Sequence, residues 1–209
     1  GPRQIEKIIK RYYPDAGEFA FSGGMHINSG CRHFITLRSD LTAVEPVIAH
    51  EMTHGCLSHL PLPAWLNEGL AVNTEHRLTG GGTRLYTPAE MHQKHLEFWG
   101  DAEIQEFWSG KSFLRSDDGN MLSYDLARII VEQTAADWNA FRQFALAAKW
   151  EDAGEYAAKE HLNVDLGAYV CSMLNKAPSA TWAPDPASWT SEPEKGRFSG
   201  ARSISKVLR

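Results

Sequence analysis

The sequence predicts an α+β protein that is mainly helical and has a small antiparallel sheet before its first long helix. From about residue 41 to residue 175, apolar residues recur at the three- and four-residue spacing of amphipathic helices. Residues 18–38 differ, because their short apolar stretches are separated by the turn-forming sequences SGG and NSG. An apolar content of 43% supports a real core in a chain of 209 residues.

These patterns predict one domain over residues 1–175. Within it we expect a sheet lobe at about 18–40 and a helical lobe at about 88–175. A short amphipathic helix is predicted at residues 3–13, where three isoleucines alternate with Lys and Arg.

The last part of the chain, residues 176–209, is predicted to be a tail. Prolines, serines and charges there interrupt every helical or strand period. Trp182 and Trp189 are unusual in a purely flexible tail, and we expect them to pin it to the domain.

The predicted helices follow one another along the domain. The first includes Leu41 and residues 50–54, with Pro46 in its opening turn, where proline is tolerated. The sequence LPLP at 60–63 ends it. Later helices are expected at 63–78, 88–110 with a break at Gly100, 120–134, 136–149, 152–161 and 163–175.

The first long helix carries the sequence HEMTH at residues 50–54. His50 and His54 are four residues apart, so on a helix they lie about 40° apart around the axis and one turn apart along it. Both imidazoles can therefore bind one metal ion from the same side. Glu51 lies beside them, where a carboxylate can take a proton from a metal-bound water.

A third, anionic ligand is expected from the next helix, which carries WLNEGLA at residues 65–71. Glu68 in this segment is well placed to supply it. Two histidines, one glutamate and an open water position are typical of a catalytic zinc site rather than a structural one.

Other metal ligands fit less well. The longer pattern HExxHxxGxxH needs glycine and histidine where this chain has Leu57 and Leu60. His59 and Cys56 are turned about 140° and about 200° from His54, so His59 is expected to be a solvated histidine and Cys56 a thiol without a ligand role. Cys31 and Cys171 bring the cysteines to three, and this odd, small count does not predict a disulfide framework.

Further polar residues could support such a site. Either Glu75 or His76, near the end of the second helix, could hold a ligand histidine, and the sequence does not choose between them. His92 and His95 are three apart but lack a carboxylate at ligand spacing, so we expect surface histidines there.

Tyr124 lies about 200° from Leu126 and off the apolar face of its predicted helix. This position suits a tyrosine that faces a cleft and also a plain surface tyrosine. Arg128, one turn on, could bind a substrate carboxylate or pair with Asp125.

The sequence HEMTH followed by PAWLNEGLA at 63–71 resembles the gluzincin metallopeptidases, the thermolysin-like clan. It is most similar to the compact bacterial peptidase MA-like proteins, strongly over residues 32–75 and weakly over 124–174. The resemblance implies a zincin-like domain that hydrolyses peptides or proteins.

Carried over by position, the resemblance implies zinc bound by His50, His54 and Glu68, with Glu51 as general base. It also suggests Tyr124 as the donor to the oxyanion. The Gly-x-Met-Glu-Asn motif of related aminopeptidases is absent, which favours an endopeptidase. The predicted strand at 32–38 either borders the substrate cleft or only covers the core.

Charge and hydropathy limit the partners. A net charge of −5 argues against binding nucleic acid or an anionic membrane, and no apolar run approaches the roughly 20 residues of a membrane-spanning helix. Because Gly1-Pro2 resembles a tag-cleavage scar, an N-terminal targeting or membrane segment could precede this chain. The sequence decides neither the compartment nor the oligomeric state.

Two other functions are compatible with these observations. The first is a catalytically inert zinc-binding scaffold, against which Glu51 argues, because a site that only binds metal needs no general base. The second is an interaction module based on the helical lobe and the tryptophan-bearing tail.

Overall fold

The structure, a computed structural model, describes residues 24–27, 33–36, 40–80 and 86–189. The predicted helix at 3–13, most of the predicted sheet lobe, Cys31 and residues 190–209 lie outside the described residues. Within the described part, no helix is both long and apolar enough to cross a membrane.

Helices make up most of the described chain, as the sequence predicts. The strands are β1 (Gly24–Ile27) and β2 (His33–Thr36). The helices are α1 (Leu41–Leu57), α2 (Ala64–Thr79), α3 (Pro88–Phe98), α4 (Asp101–Ser109), α5 (Asp118–Thr134), α6 (Trp138–Ala147), α7 (Glu155–Leu162) and α8 (Leu166–Met173). Short 3-10 turns are formed by Lys111–Leu114, Trp150–Asp152, Ala180–Trp182 and Pro186–Ser188.

The two strands pair antiparallel, with Met25 opposite Ile35, and both contact α1. Each strand has only four residues. The rest of the sheet lobe predicted over about 18–40 lies outside the described residues, so the lobe as a whole is not established.

The first helix begins earlier than its proline suggests. Asp40 caps α1 by accepting a hydrogen bond from the Ala43 N–H at 3.0 Å, so Pro46 lies inside the helix and not in its first turn. The prediction for Pro46 was wrong, because the capping aspartate sets the start of the helix. Proline has no N–H, so the carbonyl of Thr42 loses its helical partner.

The core is rich in aromatic side chains. Trp65 of α2 is fully buried, and its indole N–H donates to the Ala153 carbonyl at 2.9 Å. Its ring contacts Phe107, Trp108 and Phe144. The tryptophan of the WLNEGLA segment therefore anchors α2 in the core, which fixes the rotation of the helix that carries Glu68.

Residues beyond α8 also belong to this packing. Trp182 is 4% exposed and donates to the Asp101 carboxylate at 2.9 Å. Gln105 of α4 donates to the Thr181 and Ala183 carbonyls and accepts from the Trp189 indole. The two tryptophans thus pin this segment to the domain, as the sequence suggested.

Gly69 permits the close contact between α2 and α5. A Cβ atom at this position would lie 2.6 Å from the Ala127 carbonyl oxygen and 2.8 Å from the Val131 side chain. We therefore expect Gly69→Ala to lower the free energy of unfolding by about 1–3 kcal/mol, as overpacked cores do. Urea denaturation measures the loss.

The matched control is Gly100→Ala, whose added Cβ would meet only the flexible Glu103 side chain at 2.8 Å. A smaller loss is expected there. Equal or higher stability of Gly69→Ala would show that α2 and α5 can separate without cost.

Candidate metal centre

Three donor residues meet where α1 packs on α2. His50 Nε2 lies 3.2 Å from Glu68 Oε2, and His54 Nε2 lies 3.4 Å from the same oxygen. One donor atom from each of the three residues lies within 4.8 Å of the others. The turn at 58–63 reverses the chain, and the buried Trp65 fixes the register that places Glu68 against the histidines.

These distances suit a metal ion at the centre of the group. With metal–ligand bonds of about 2.0–2.2 Å, the donors of a tetrahedral site stand about 3.4 Å apart. Glu68 is 1% exposed, and its Oε1 has no hydrogen-bond partner among the described residues. A buried carboxylate oxygen of this kind is costly unless it has a partner, and a cation would supply one.

Each histidine ring is oriented by a hydrogen bond at its Nδ1 atom. The Nδ1–H of His50 donates to Glu75 Oε2 at 3.3 Å, and the Nδ1–H of His54 donates to Asn67 Oδ1 at 3.1 Å. The Nε2 atoms of both rings lie against Glu68, and a ring that keeps only its Nδ1 proton offers its Nε2 lone pair to a metal ion there. Such outer partners fix the tautomer and orientation of metal-binding histidines.

Of the two residues that the sequence left open as the partner of a ligand histidine, Glu75 is the one that contacts His50. His76, the other candidate, lines a cavity beside the centre. The partner of His54, Asn67, is not predicted from the sequence. Its position directly before Glu68 in the WLNEGLA segment is the feature that could have indicated it. A hydrogen-bond partner that lies on a neighbouring helix is hard to assign from sequence spacing alone.

The ionisable groups of the centre influence each other strongly. Burial alone would lower the pKa of His50, but the hydrogen-bonded carboxylates of Glu68 and Glu75, together with the charge of Glu51, raise it to about 10. Burial alone would raise the pKa of Glu68, but the two imidazoles hold it well below its usual range. A metal ion must therefore displace a proton from His50 when it binds.

Glu51 follows His50 on α1 and is 5% exposed. Its charge is also one of the influences that raise the pKa of His50. The structure thus brings His50, His54 and Glu68 together and buries Glu51 directly after His50 in the same helix.

Comparison with protein-family models, curated proteins and solved structures finds no match to this chain. Its chemistry must therefore be argued from the residues of the centre.

Tyr124 of α5 lies near this group. Its ring centroid is 6.4 Å from that of His50 and 5.2 Å from that of Phe113, which it meets edge to face. The side chain is partly buried and lines the adjoining cavity. This position agrees with a tyrosine that faces a cleft.

The alternative ligands lie apart from the donor cluster. His59 is exposed beyond the end of α1, and Cys56 is an exposed free thiol. Cys171 is buried and free. Within the described part of the chain, the only donor cluster of metal-binding type is the one formed by His50, His54 and Glu68.

His95 differs from its prediction as a surface histidine, whereas His92 is exposed as expected. His95 is 2% exposed; its Nδ1 accepts from the Trp99 indole at 2.8 Å, and its Nε2–H donates to Asp125 at 3.0 Å. The prediction was wrong because the carboxylate partner comes from α5, which is distant in sequence. Arg128 pairs with Asp125 at 2.9 Å, which is one of its two predicted roles.

Glu75 offers a direct test of the centre. Glu75→Gln is expected to weaken metal binding by about 10–100-fold, the usual cost of losing an outer carboxylate partner. Competition with a chelating dye measures the dissociation constant. Glu97→Gln, at an exposed position on α3, is the control and should bind as the parent does. Unchanged affinity in Glu75→Gln would show that Glu75 does not hold His50 in the metal-bound state.

Proposed function

We propose that this chain is a zinc-dependent metallopeptidase of the gluzincin type, and that it acts as an endopeptidase. The observation that carries this proposal is the convergence of His50, His54 and Glu68 at metal-ligand spacing, with Glu51 buried directly after His50 in the chain. A site that only binds metal has no need of a second buried carboxylate next to the ligands.

Zinc is the metal of choice for this donor set, because two imidazoles and one carboxylate leave a fourth position open. When bound, it would lower the pKa of a water molecule towards neutrality and polarise a peptide carbonyl. His50 and His54 would bind through Nε2, while Glu75 and Asn67 hold the rings at Nδ1.

Glu51 is the general base of the proposed reaction. Its carboxylate takes a proton from the water as the water attacks the peptide carbon. It then passes that proton to the nitrogen of the leaving amine. The C–N bond breaks, and the products are a carboxylate and an amine.

Tyr124 is the proposed donor to the oxyanion. The distance of 6.4 Å between its ring centroid and that of His50 supports this role. One such donor typically contributes about 3 kcal/mol of transition-state stabilisation.

Metal content and cleavage must be measured on the same preparation. We expect about one zinc per chain by mass spectrometry, and cleavage of internal bonds in a peptide library that stops with a chelator and returns with zinc. Zinc-loaded protein that cleaves nothing would overturn the peptidase proposal and favour an inert zinc-binding protein.

A further inference from the structure

A cavity of about 580 Å³ lies between α2, α3 and α5. Its volume falls within the roughly 300–1,000 Å³ that is usual for ligand pockets. Apolar side chains form much of its wall: Met91, Met121, Leu126, Ile129, Met173 and Leu174. It is therefore large enough for a bulky apolar group.

The cavity adjoins the metal centre without including it. Glu75, which holds His50, and Tyr124, whose ring lies beside His50, both line it. The three donor residues and Glu51 are not among its lining. The cavity thus lies on the Nδ1 side of His50, whereas the Nε2 side faces Glu68.

The two carboxylates and the guanidinium among its lining residues are already paired. Asp125 accepts from His95 and Arg128, and Arg128 also donates to Glu132 at 2.7 Å. Glu75 is engaged by His50. A ligand that binds these three groups would have to break their pairs, whereas an apolar ligand can pack on the methionine and leucine side chains without disturbing them.

Methionine contributes three of the lining side chains, out of five in the whole chain. Methionine is flexible and polarisable, so it adapts to apolar groups of different shape and contacts aromatic rings favourably. Such a wall suits several bulky apolar side chains rather than one of fixed outline.

We propose that this cavity binds a bulky apolar side chain of the substrate, at a position separated from the cleaved bond by at least one residue. The separation follows from the place of the cavity behind His50. The inference rests on the proposed peptidase function, and it makes the substrate a peptide with a large apolar residue at that position.

The test uses the zinc-loaded chain of residues 1–209 and quenched fluorescent peptides that carry Phe or Ala at each position around the cleaved bond. We expect about tenfold or greater preference for Phe at one position that is not adjacent to the bond, a typical gain for filling an apolar pocket. Met91→Trp, which fills the cavity, should reduce this preference to about twofold or less. Leu146→Trp, at a 51% exposed position of α6 outside the cavity, should keep it.

Binding gives a second readout that needs no turnover. Calorimetry with zinc-loaded Glu51→Gln should show about tenfold tighter binding of the Phe peptide than of the Ala peptide, and adding Met91→Trp should remove the difference. If Met91→Trp does not fold, Met121→Phe takes its place.

The outcomes separate the two proposals. Cleavage without a Phe preference, or a preference that filling does not reduce, overturns the cavity proposal and leaves the peptidase proposal standing. Absence of cleavage in zinc-loaded protein overturns the peptidase proposal, and the cavity proposal falls with it.

Discussion

Glu51→Gln is expected to lower peptide hydrolysis by at least about 10²–10⁴-fold, the usual contribution of a general acid–base group. The amide keeps the size of the carboxylate but cannot accept the proton of water. Because His50, His54 and Glu68 are unchanged, the variant should still bind one zinc per chain. Activity would thus be lost without loss of the metal.

The measurement pairs kcat/KM on a cleaved peptide with zinc content of the same sample. Glu45→Gln, an exposed position on the same helix, is the matched control and should retain activity. Full activity in zinc-loaded Glu51→Gln would remove Glu51 from the role of base and require another proton acceptor near the donors.

Glu68→Ala is expected to have the second large effect, a loss of metal affinity greater than the roughly 10–100-fold expected for an outer partner. Glu68 supplies the only carboxylate among the three clustered donors and contacts both histidines. Its removal takes away the carboxylate that both Nε2 atoms share.

Thermal unfolding with and without zinc measures this change. A ligand at 100 times its dissociation constant stabilises the folded state by about 2.7 kcal/mol, so the parent should gain several degrees in Tm from zinc. The gain should vanish in Glu68→Ala and persist in Glu160→Ala, an exposed position on α7. A persistent gain in Glu68→Ala would place the metal elsewhere.

Local patterns predicted much of this architecture. The break at Gly100 and the helix over 120–134 depend on spacing and capping within a few residues, and both are found at nearly the predicted places. His50 and His54 were likewise predicted to share a face from their four-residue spacing, because a helical turn fixes which side chains lie together, and both belong to the donor cluster.

Features that depend on distant partners were not predictable in the same way. His95 needs Asp125, thirty residues further on, before its burial makes sense. Glu75, and not His76, is identified as the partner of His50 only by the packing of α1 against α2. The cavity is another such feature, since its walls come from elements that are scattered along the sequence.

The hydrogen bonds that join Gln105 and Trp108 to residues 181–189 limit where the protein can be truncated. A fragment that stops at residue 175 would lack Trp182, whose indole is buried. The residues of α4 that contact this indole would then be exposed to water. Loss of a binding partner in such a fragment would then report damage to the core. A truncation intended to probe the C-terminal end should start after Trp189.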